Sequence, residues 1–390
     1  MTALISAPDT RRKLEILSAD AQYDLSCACA PTKAEHRRRG AEGWIYPATL
    51  QNGGSSLIFK TLLSNVCSND CRYCPLKAQR DIRRCTLGEE EVAGAFLDYY
   101  RRGEVFGLFL TSGVLGTPDA TMERLNGVAR LLRRRRFRGY IHLKVIPGAS
   151  DAAIEEAVSL SSAVSLNIET PGARHLAQLS QRKRFLEDIV APIKLISRLT
   201  GKGGRFAGVK QTTQFIVGAT EETDAEIVKY TWGLYDRLRL DRVYFSAHQQ
   251  PSPRRLGGDA VATVVGGGDA VKAGAASSAL EAAYVREHRL YQVDFLMRRY
   301  GFTETDIGFD QAGFLPLGVD PKEDWARRHP EFFPVNVNRA SRLQLMRVPG
   351  IGEVTARRIL EHRKNSRLRD LGGLGRMDSR LLRASEFVCY

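Results

Sequence analysis

From Leu57 onward the chain alternates between short apolar runs and longer stretches with helical spacing. SLIFKTLLSNV, VFGLFLTSG, GYIHLKVIPG, AVSLNIET, KQTTQFIVGAT and RVYFSAHQQ each read as a strand. Between them lie GEEEVAGAFLDYYRR, TPDATMERLNGVARLLRR, SDAAIEEAVSL, FLEDIVAPIKLISRLT and ETDAEIVKYTWGLYDRL, all with helical spacing. Ser150 or Asp151 supplies a cap to the third of these. Six strands separated by helices predict a parallel sheet with crossover helices. Six βα units fall short of the usual closed eight-fold barrel. The expected fold is therefore α/β, a partial (β/α)6 barrel open on one side, with ligands at the carboxyl ends of its strands.

The flanks divide the chain further. Residues 1–56 form an N-terminal segment in which KLEILSADAQYD is helical and AEGWIYPATLQNGGSS is loop, and residues 57–253 are the barrel core. Residues 254–279 turn to Gly, Ala and Val without an aromatic residue and predict a flexible insertion. A helical extension and linker follows over 280–334, its long helix stopped at Gly301 and its irregular part anchored by Trp325. Residues 335–390 are a small all-α module. There Asn338 caps a first helix through Arg347, Pro349-Gly350-Ile351-Gly352 makes a tight hairpin, and Glu353 to Arg363 is a second helix packing through Ala356, Ile359 and Leu360. LGGLG at 371–375 is a second, shorter hairpin.

Charge sharpens the picture of that module. The 390-residue chain carries a formal charge of +14, a balance that favours polyanions. Half of it falls between Asn336 and Tyr390, where twelve Arg and Lys face five Asp and Glu. A second cluster, RLLRRRRFR at 130–138, holds six arginines, which a solvated helix face also explains. No apolar run approaches the roughly 20 residues of a membrane helix. The N-terminus shows no secretory signal, so no membrane partner and a cytoplasmic location are expected.

Seven cysteines are too few for a disulfide framework in a chain of this size, and three of them crowd into Cys67-Ser-Asn-Asp-Cys71-Arg-Tyr-Cys74. This C-x3-C-x2-C run follows the first strand, where chemistry is expected. A short loop can wrap three thiolates around three corners of a 4Fe–4S cubane and leave one iron open. An open iron can chelate the amino and carboxylate groups of S-adenosylmethionine (SAM). Structural zinc prefers four ligands, usually in two C-x2-C pairs. Cys85 is the available fourth ligand for a zinc site or an electron-transfer cluster. Cys27 and Cys29 read as structural or free thiols.

Cys67 to Cys74 resembles the radical SAM superfamily signature, with the aromatic Tyr73 just before the third cysteine. YDLSC, GLFLTSGV, YIHLKVIPGAS, QTTQFIVGATEETD, RVYFSA and EHRLYQVDFLMRRYGF extend the resemblance over most of the chain, to the DNA modification/repair radical SAM proteins. It implies a 4Fe–4S cluster held by Cys67, Cys71 and Cys74, SAM as second cofactor, and Tyr73 near the adenine. It also implies a one-electron reductant such as flavodoxin or ferredoxin, and a uracil-DNA-glycosylase-like partner.

Other SAM contacts follow by position. Thr111, Ser112 and Gly113 end the second strand, where the superfamily often has an acidic Gly-Gly-Glu-like turn that this sequence lacks. Asn167 and Glu169 alternate on the fourth strand and so face one side. A carboxylate inside a barrel needs a partner, either a ribose diol or Lys144 one strand away. Gly218 lets backbone approach the adenine. Gln211, Thr213 and Tyr244 also lie near strand ends, and His142 and Lys144 alternate on the third strand. Around the PGIG turn the small module looks like the helix–hairpin–helix of DNA repair nucleases and competence receptors. That likeness implies backbone contacts to DNA through Gly350, Ile351, Gly352, Arg357 and Arg358. The expected function is a radical SAM enzyme acting on DNA in modification or repair. The alternatives are action on RNA, protein or a small molecule, and a non-catalytic DNA-binding protein with a structural cluster.

Overall fold

The computed structural model describes residues 8–21, 43–49, 54–248 and 270–390. Helix α1 (Thr10–Asp20) is capped by Asp9, which accepts from the Arg12 N–H. Strand β1 (Ile45–Thr49) pairs antiparallel with β2 (Ser55–Leu62). A strand thus stands where the sequence suggests loop, because Trp44, Ile45, Tyr46 and Ala48 are buried apolar side chains. The expected rhythm follows in order: α2 (Glu89–Arg101), β3 (Gly107–Thr111), α3 (Pro118–Arg134), β4 (Tyr140–Lys144), α4 (Asp151–Leu160) and β5 (Ala163–Ser165). A short helix that the sequence pattern does not announce, α5 (Ala173–Leu179), comes next. A π-helical turn over Phe185–Val190 then leads into α6 (Ala191–Thr200), β6 (Lys210–Val217), α7 (Asp224–Asp236) and β7 (Arg242–Ala247).

The sheet order is β1-β2-β3-β4-β5-β6-β7, and β2 to β7 are all parallel. Strictly sequential pairing without closure between first and last strands gives a curled half-barrel. Its strands are buried on both faces, β3 at every position, which is why they read as apolar runs rather than alternations. Helix starts obey local chemistry. Ser150 accepts from the Ala153 N–H, and Thr117 does the same for Ala120 ahead of Pro118. The register sets Lys60, Phe109 and His142 side by side. Lys60 Nζ lies 4.6 Å from the Tyr46 ring, and the Phe109 and His142 rings are 4.5 Å apart. This layer fills the barrel floor, one step below the residues that line the cleft described next.

The described residues fall into two units, one drawn from 1–222 and 233–287 and the other from 223–232 and 288–390. Helix α8 (Ala270–Tyr300) starts ten residues earlier than expected, inside the stretch read as flexible, while 249–269 lie outside the described residues. The second unit continues with α9 (Pro321–Arg328), β8 (Val335–Asn336), α10 (Arg342–Arg347), α11 (Glu353–Asn365), α12 (Ser379–Ser385) and β9 (Val388–Cys389). Strands β8 and β9 pair in parallel and tie the start of this module to its end. Trp325 is 3% exposed and packs edge-on to Phe302 and Phe332. Among the described residues no helix is long and apolar enough to cross a membrane.

Candidate functional site

Beyond β2 and β3 the two segments stay together. Leu63 N–H donates to Thr111 O (2.8 Å) and Gly113 N–H to Ser64 O (2.7 Å). A Cβ on Gly113 would collide with Val66 O and crowd Cys67 Cβ, so only glycine allows the loop to pass. Cys67 is thereby delivered to the carboxyl edge of the sheet. The cysteine loop is then tied down from two sides. Ser68 N–H donates to Val114 O (2.9 Å) and Arg72 N–H to Leu179 O (2.8 Å). Asp70 accepts from the Ser180 hydroxyl (2.5 Å) and the Gln181 N–H (3.0 Å). Burial alone would raise the Asp70 pKa, but these hydrogen bonds outweigh it and hold the carboxyl below its usual range. Downstream, the Arg84 guanidinium donates to the carbonyls of Leu76 (2.8 Å), Lys77 (2.9 Å) and Arg80 (3.0 Å).

Cys67, Cys71 and Cys74 line one cleft of about 1060 Å³, its open mouth included, together with Tyr73, Thr111, Ser112, Gly113, Asn167 and Glu169. All nine residues expected there from these segments meet in it. Glu169 is 5% exposed and has a left-handed φ of +65°, a strained conformation for a non-glycine residue. The strain is held by pairing with β6: Glu169 N–H donates to Gln214 O (3.0 Å) and Ile216 N–H to Glu169 O (2.8 Å). Its carboxylate accepts from the Tyr73 hydroxyl (2.7 Å) and more weakly from Asn167 Nδ2 (3.4 Å).

The cation beside Glu169 is Lys183 rather than Lys144. Lys183 Nζ lies 3.8 Å from Glu169 Oε1 and donates to the Tyr73 hydroxyl at 3.2 Å, with a side chain 8% exposed. Lys144 lines the same cleft elsewhere. Burial works against the Lys183 charge, yet Cys71, Glu169 and Cys74 override it and raise its pKa. Burial, then the Cys71 charge, raises the Cys74 thiol, while the Leu76 N–H donates to its sulfur at 3.4 Å. Burial, then Cys71 and Glu169, raises the Tyr73 phenol, which therefore serves as a donor.

This donor set suits an iron–sulfur cubane: three soft thiolates on one wall, an N–H aimed at one sulfur, and a buried ammonium against the added negative charge. Among the described residues no three His, Cys, Asp or Glu side chains converge as the ligands of one ion must. A cubane instead takes each thiolate on a separate iron. Cys85 does not line the cleft; its N–H is bonded to Asn65 Oδ1 (2.7 Å).

Several other candidates have different places. Gly218 (φ +80°) is absent from the cleft lining, and its N–H is held by Glu222, so its turn serves local geometry. Gln211 donates to Ile193 O (2.8 Å) and Thr213 to Leu166 O (2.8 Å). Gln214 and Ile216, of the opposite parity, line the cleft with Ser246 and His248. His142 contacts Ser165 Oγ at 2.9 Å in the floor layer. Of the arginine cluster, Arg133 donates to the carbonyls of Leu160, Phe137 and Gly139, Arg135 pairs with Glu90, and Arg130 with Glu123 and Glu156. Cys27 and Cys29 lie outside the described residues.

In the second unit the first helix of the hairpin is capped by Ser341, not Asn338. Ser341 accepts from the Gln344 N–H and Gln344 reciprocates to the Ser341 N–H, a capping box. Asn338 instead clips Leu368, bonding both its N–H and its carbonyl at 2.9 Å. Gly350 (φ +80°) is required by packing: a Cβ there would collide with Arg380 O of α12. Ile351 as a whole is buried, and its N–H donates to Val348 O (3.1 Å). Arg357 and Arg358 are exposed on α11 and form no ion pair among the described residues.

Residues 61–230 match the radical SAM superfamily profile, and residues 332–378 match that of the helix-hairpin-helix motif. Residues 61–230 are a radical SAM domain. The radical SAM superfamily uses a 4Fe–4S cluster and SAM. No curated protein matches the sequence. Solved structures similar to this chain include methylornithine synthase (PylB), at 14% identity over 49% of this chain and 53% of that one, with a TM-score of 0.41. The FeFe-hydrogenase maturase HydG from Carboxydothermus hydrogenoformans is 16% identical over 52% of this chain and 46% of its own, with a TM-score of 0.40. Streptococcus suis SuiB, solved bound to S-adenosylmethionine, is 11% identical over 64% and 54%, with a TM-score of 0.40. The matches span about half the length of those chains.

Proposed function

We propose that the radical SAM domain binds a 4Fe–4S cluster through Cys67, Cys71 and Cys74, cleaves SAM reductively, and acts on DNA in modification or repair. When bound, the cluster supplies the electron that breaks the sulfonium bond to give methionine and a 5′-deoxyadenosyl radical. The chain's own residues bind and orient. Glu169 and Asn167 accept and donate hydrogen bonds to SAM, Thr111 and Ser112 offer hydroxyls and carbonyls beside them, and Tyr73 fixes the Glu169 rotamer. Lys183 balances the charge of the thiolates and of Glu169. The observation that carries this reading is the meeting of all three cysteines with Glu169 in one cleft of a radical SAM domain.

The DNA part rests on the helix-hairpin-helix match and on the basic balance around it. The module would hold the phosphate backbone without reading sequence, through the hairpin peptides and the exposed Arg357 and Arg358. A flavodoxin- or ferredoxin-like reductant would supply electrons, and a uracil-DNA-glycosylase-like protein is the candidate partner. The test is anaerobic: reconstitute the cluster, add dithionite and SAM, and quantify 5′-deoxyadenosine with and without single- or double-stranded DNA. Stimulation by DNA supports the reading. Turnover indifferent to DNA points to an RNA, protein or small-molecule substrate. No turnover from an intact, reducible cluster refutes the enzymatic reading.

A further inference from the structure

One buried charge has no part in the radical chemistry. Lys322 lies in the second unit, in the first turn of α9, and is 7% exposed. Its Nζ donates to Ile351 O, inside the hairpin, at 2.5 Å and sits 4.7 Å from the centroid of the Tyr300 ring. Tyr300, the last residue of α8, is itself 9% exposed; burial raises its pKa and the Glu353 backbone opposes that shift, which sets its hydroxyl toward the start of α11. A Cβ on Gly352 would stand 3.1 Å from that hydroxyl. The two side chains touch each other and both bear on the hairpin at Ile351 and Gly352. Lys322 holds the carbonyl before Gly352, and the Tyr300 hydroxyl stands against Gly352 itself.

Burying an ammonium is costly even when it is hydrogen-bonded, as Lys322 is to the Ile351 carbonyl. A methionine would fill the same space at lower cost. What the ammonium adds is a directional bond to the Ile351 carbonyl, beside the packing of Gly350 on Arg380 and the Ile351 N–H bond to Val348 O. The groups facing Lys322 are few: Asp320 at the cap of α9, Tyr300 from α8, and the Ile351 carbonyl from the hairpin, with Glu353 beyond Tyr300 and paired to Arg342. Burial lowers the Lys322 pKa to about 7, with Asp320 opposing the shift.

We propose that Lys322 and Tyr300 are positioning residues that clamp the hairpin peptides in the orientation that receives a nucleic-acid phosphate. The inference rests on the reading of the module as a nucleic-acid binder. A polyanion brought to the hairpin favours the protonated ammonium, so binding takes up a proton and tightens as pH falls through the Lys322 pKa. A charged donor also bonds a carbonyl more strongly than a neutral amine.

The test uses the full-length reconstituted protein and a fluorescein-labelled DNA duplex, with affinity read by anisotropy at fixed salt from pH 6 to pH 8.5. Wild type is expected to bind about fivefold more tightly at the acid end. Lys322→Met should lose that step and bind at the alkaline wild-type level or below, whereas Lys322→Arg should flatten the profile near its tight limit. Tyr300→Phe removes one hydroxyl and little volume, so it tests the other half of the clamp if Lys322 variants fold poorly; it should weaken binding several-fold at every pH. The doubly substituted Arg357→Ala/Arg358→Ala protein reports on the underlying reading. If wild type binds, the double variant binds less, and Lys322→Met and Tyr300→Phe leave both affinity and pH profile unchanged, the clamp is overturned while the binding module stands. If wild type does not bind, the nucleic-acid reading fails and takes the clamp with it.

Discussion

The Tyr73 hydroxyl donates to Glu169 Oε1 at 2.7 Å, joining the cysteine loop to the segment that follows β5 across the cleft. These residues are 96 positions apart, and Lys183 lies against both. A carboxylate in a strained backbone position is thus set against the cluster wall before any cofactor arrives. Glu169→Gln keeps the size and the hydrogen-bonding reach but removes the charge. It is expected to leave iron content unchanged and to weaken SAM binding roughly tenfold to a hundredfold, measured by calorimetry on the oxidised, reconstituted protein. Unchanged SAM affinity would remove Glu169 from the cofactor site.

Cys85 separates a three-thiolate cluster from a four-ligand site. Its backbone is bonded to Asn65, and it stands outside the cleft that the other three cysteines line. Cys85→Ala is expected to retain iron, sulfide and the visible charge-transfer band at wild-type levels. Each of Cys67→Ala, Cys71→Ala and Cys74→Ala should lose them. Loss of iron on Cys85→Ala would instead favour a closed structural cluster.

Much of this arrangement was legible in the sequence, for identifiable reasons. Parallel strands buried on both faces must be apolar, so β2 to β7 announce themselves. Asn167 and Glu169 do share the cleft, but they lie beyond Ser165, where β5 ends, and Glu169 is left-handed, so strand alternation is not what aims them. The cleft's cations were not legible. Lys183 sits in QRKR and looks like a surface charge, and only the path of the chain after α5 brings it back to Cys71 and Glu169. Arg84, in DIRRC, is equally anonymous, yet it gathers four carbonyls, those of Asn65, Leu76, Lys77 and Arg80. The cap at Ser341 is a different case: S-x-x-Q was present at Ser341 and Gln344, a readable signal that Asn338 obscured. Strand β1 was hidden by Pro47 and by the polar residues around it, and its antiparallel edge position is where proline is tolerated.

Gly113 ties the β3 end to the cysteine loop through contact rather than through cofactor chemistry. Gly113→Ala must move Val66 or Cys67, since its Cβ would collide with the Val66 backbone oxygen. Overpacking of this kind costs about 1–3 kcal/mol. The expected outcome is a folded protein with a lower melting temperature and sub-stoichiometric iron after reconstitution. Full iron loading in Gly113→Ala would show that the loop has slack.

Binding to duplex DNA should be steeply salt-dependent if Arg357 and Arg358 contact phosphates. Each phosphate contact contributes about 0.9 to the slope of log affinity against log salt concentration. The Arg357→Ala/Arg358→Ala protein should therefore show a slope shallower by about 1.8, with the same loss on unrelated sequences. A reduced affinity with an unchanged slope would mean that these side chains act on the fold of α11 and not on the polyanion.

Lys322 also makes the second unit's stability depend on pH, with a sign opposite to that of its effect on binding. Its folded pKa is about 7, below the ordinary 10.5 of an unfolded lysine. Between those values the unfolded chain binds a proton that the folded chain does not, so stability rises as pH rises through this window. Below about pH 7 both states are protonated, and the cost of burying the charge is felt in full and no longer varies. The slope within the window is at most roughly 1.4 kcal/mol per pH unit. Lys322→Met should remove the slope and raise stability most at pH 7 and below. Urea midpoints followed by Trp325 fluorescence, with Trp44 and Trp232 replaced by Phe, would measure it from pH 6 to pH 9. A wild-type midpoint that does not rise across that range, or the same rise in Lys322→Met, would place the titrating group elsewhere.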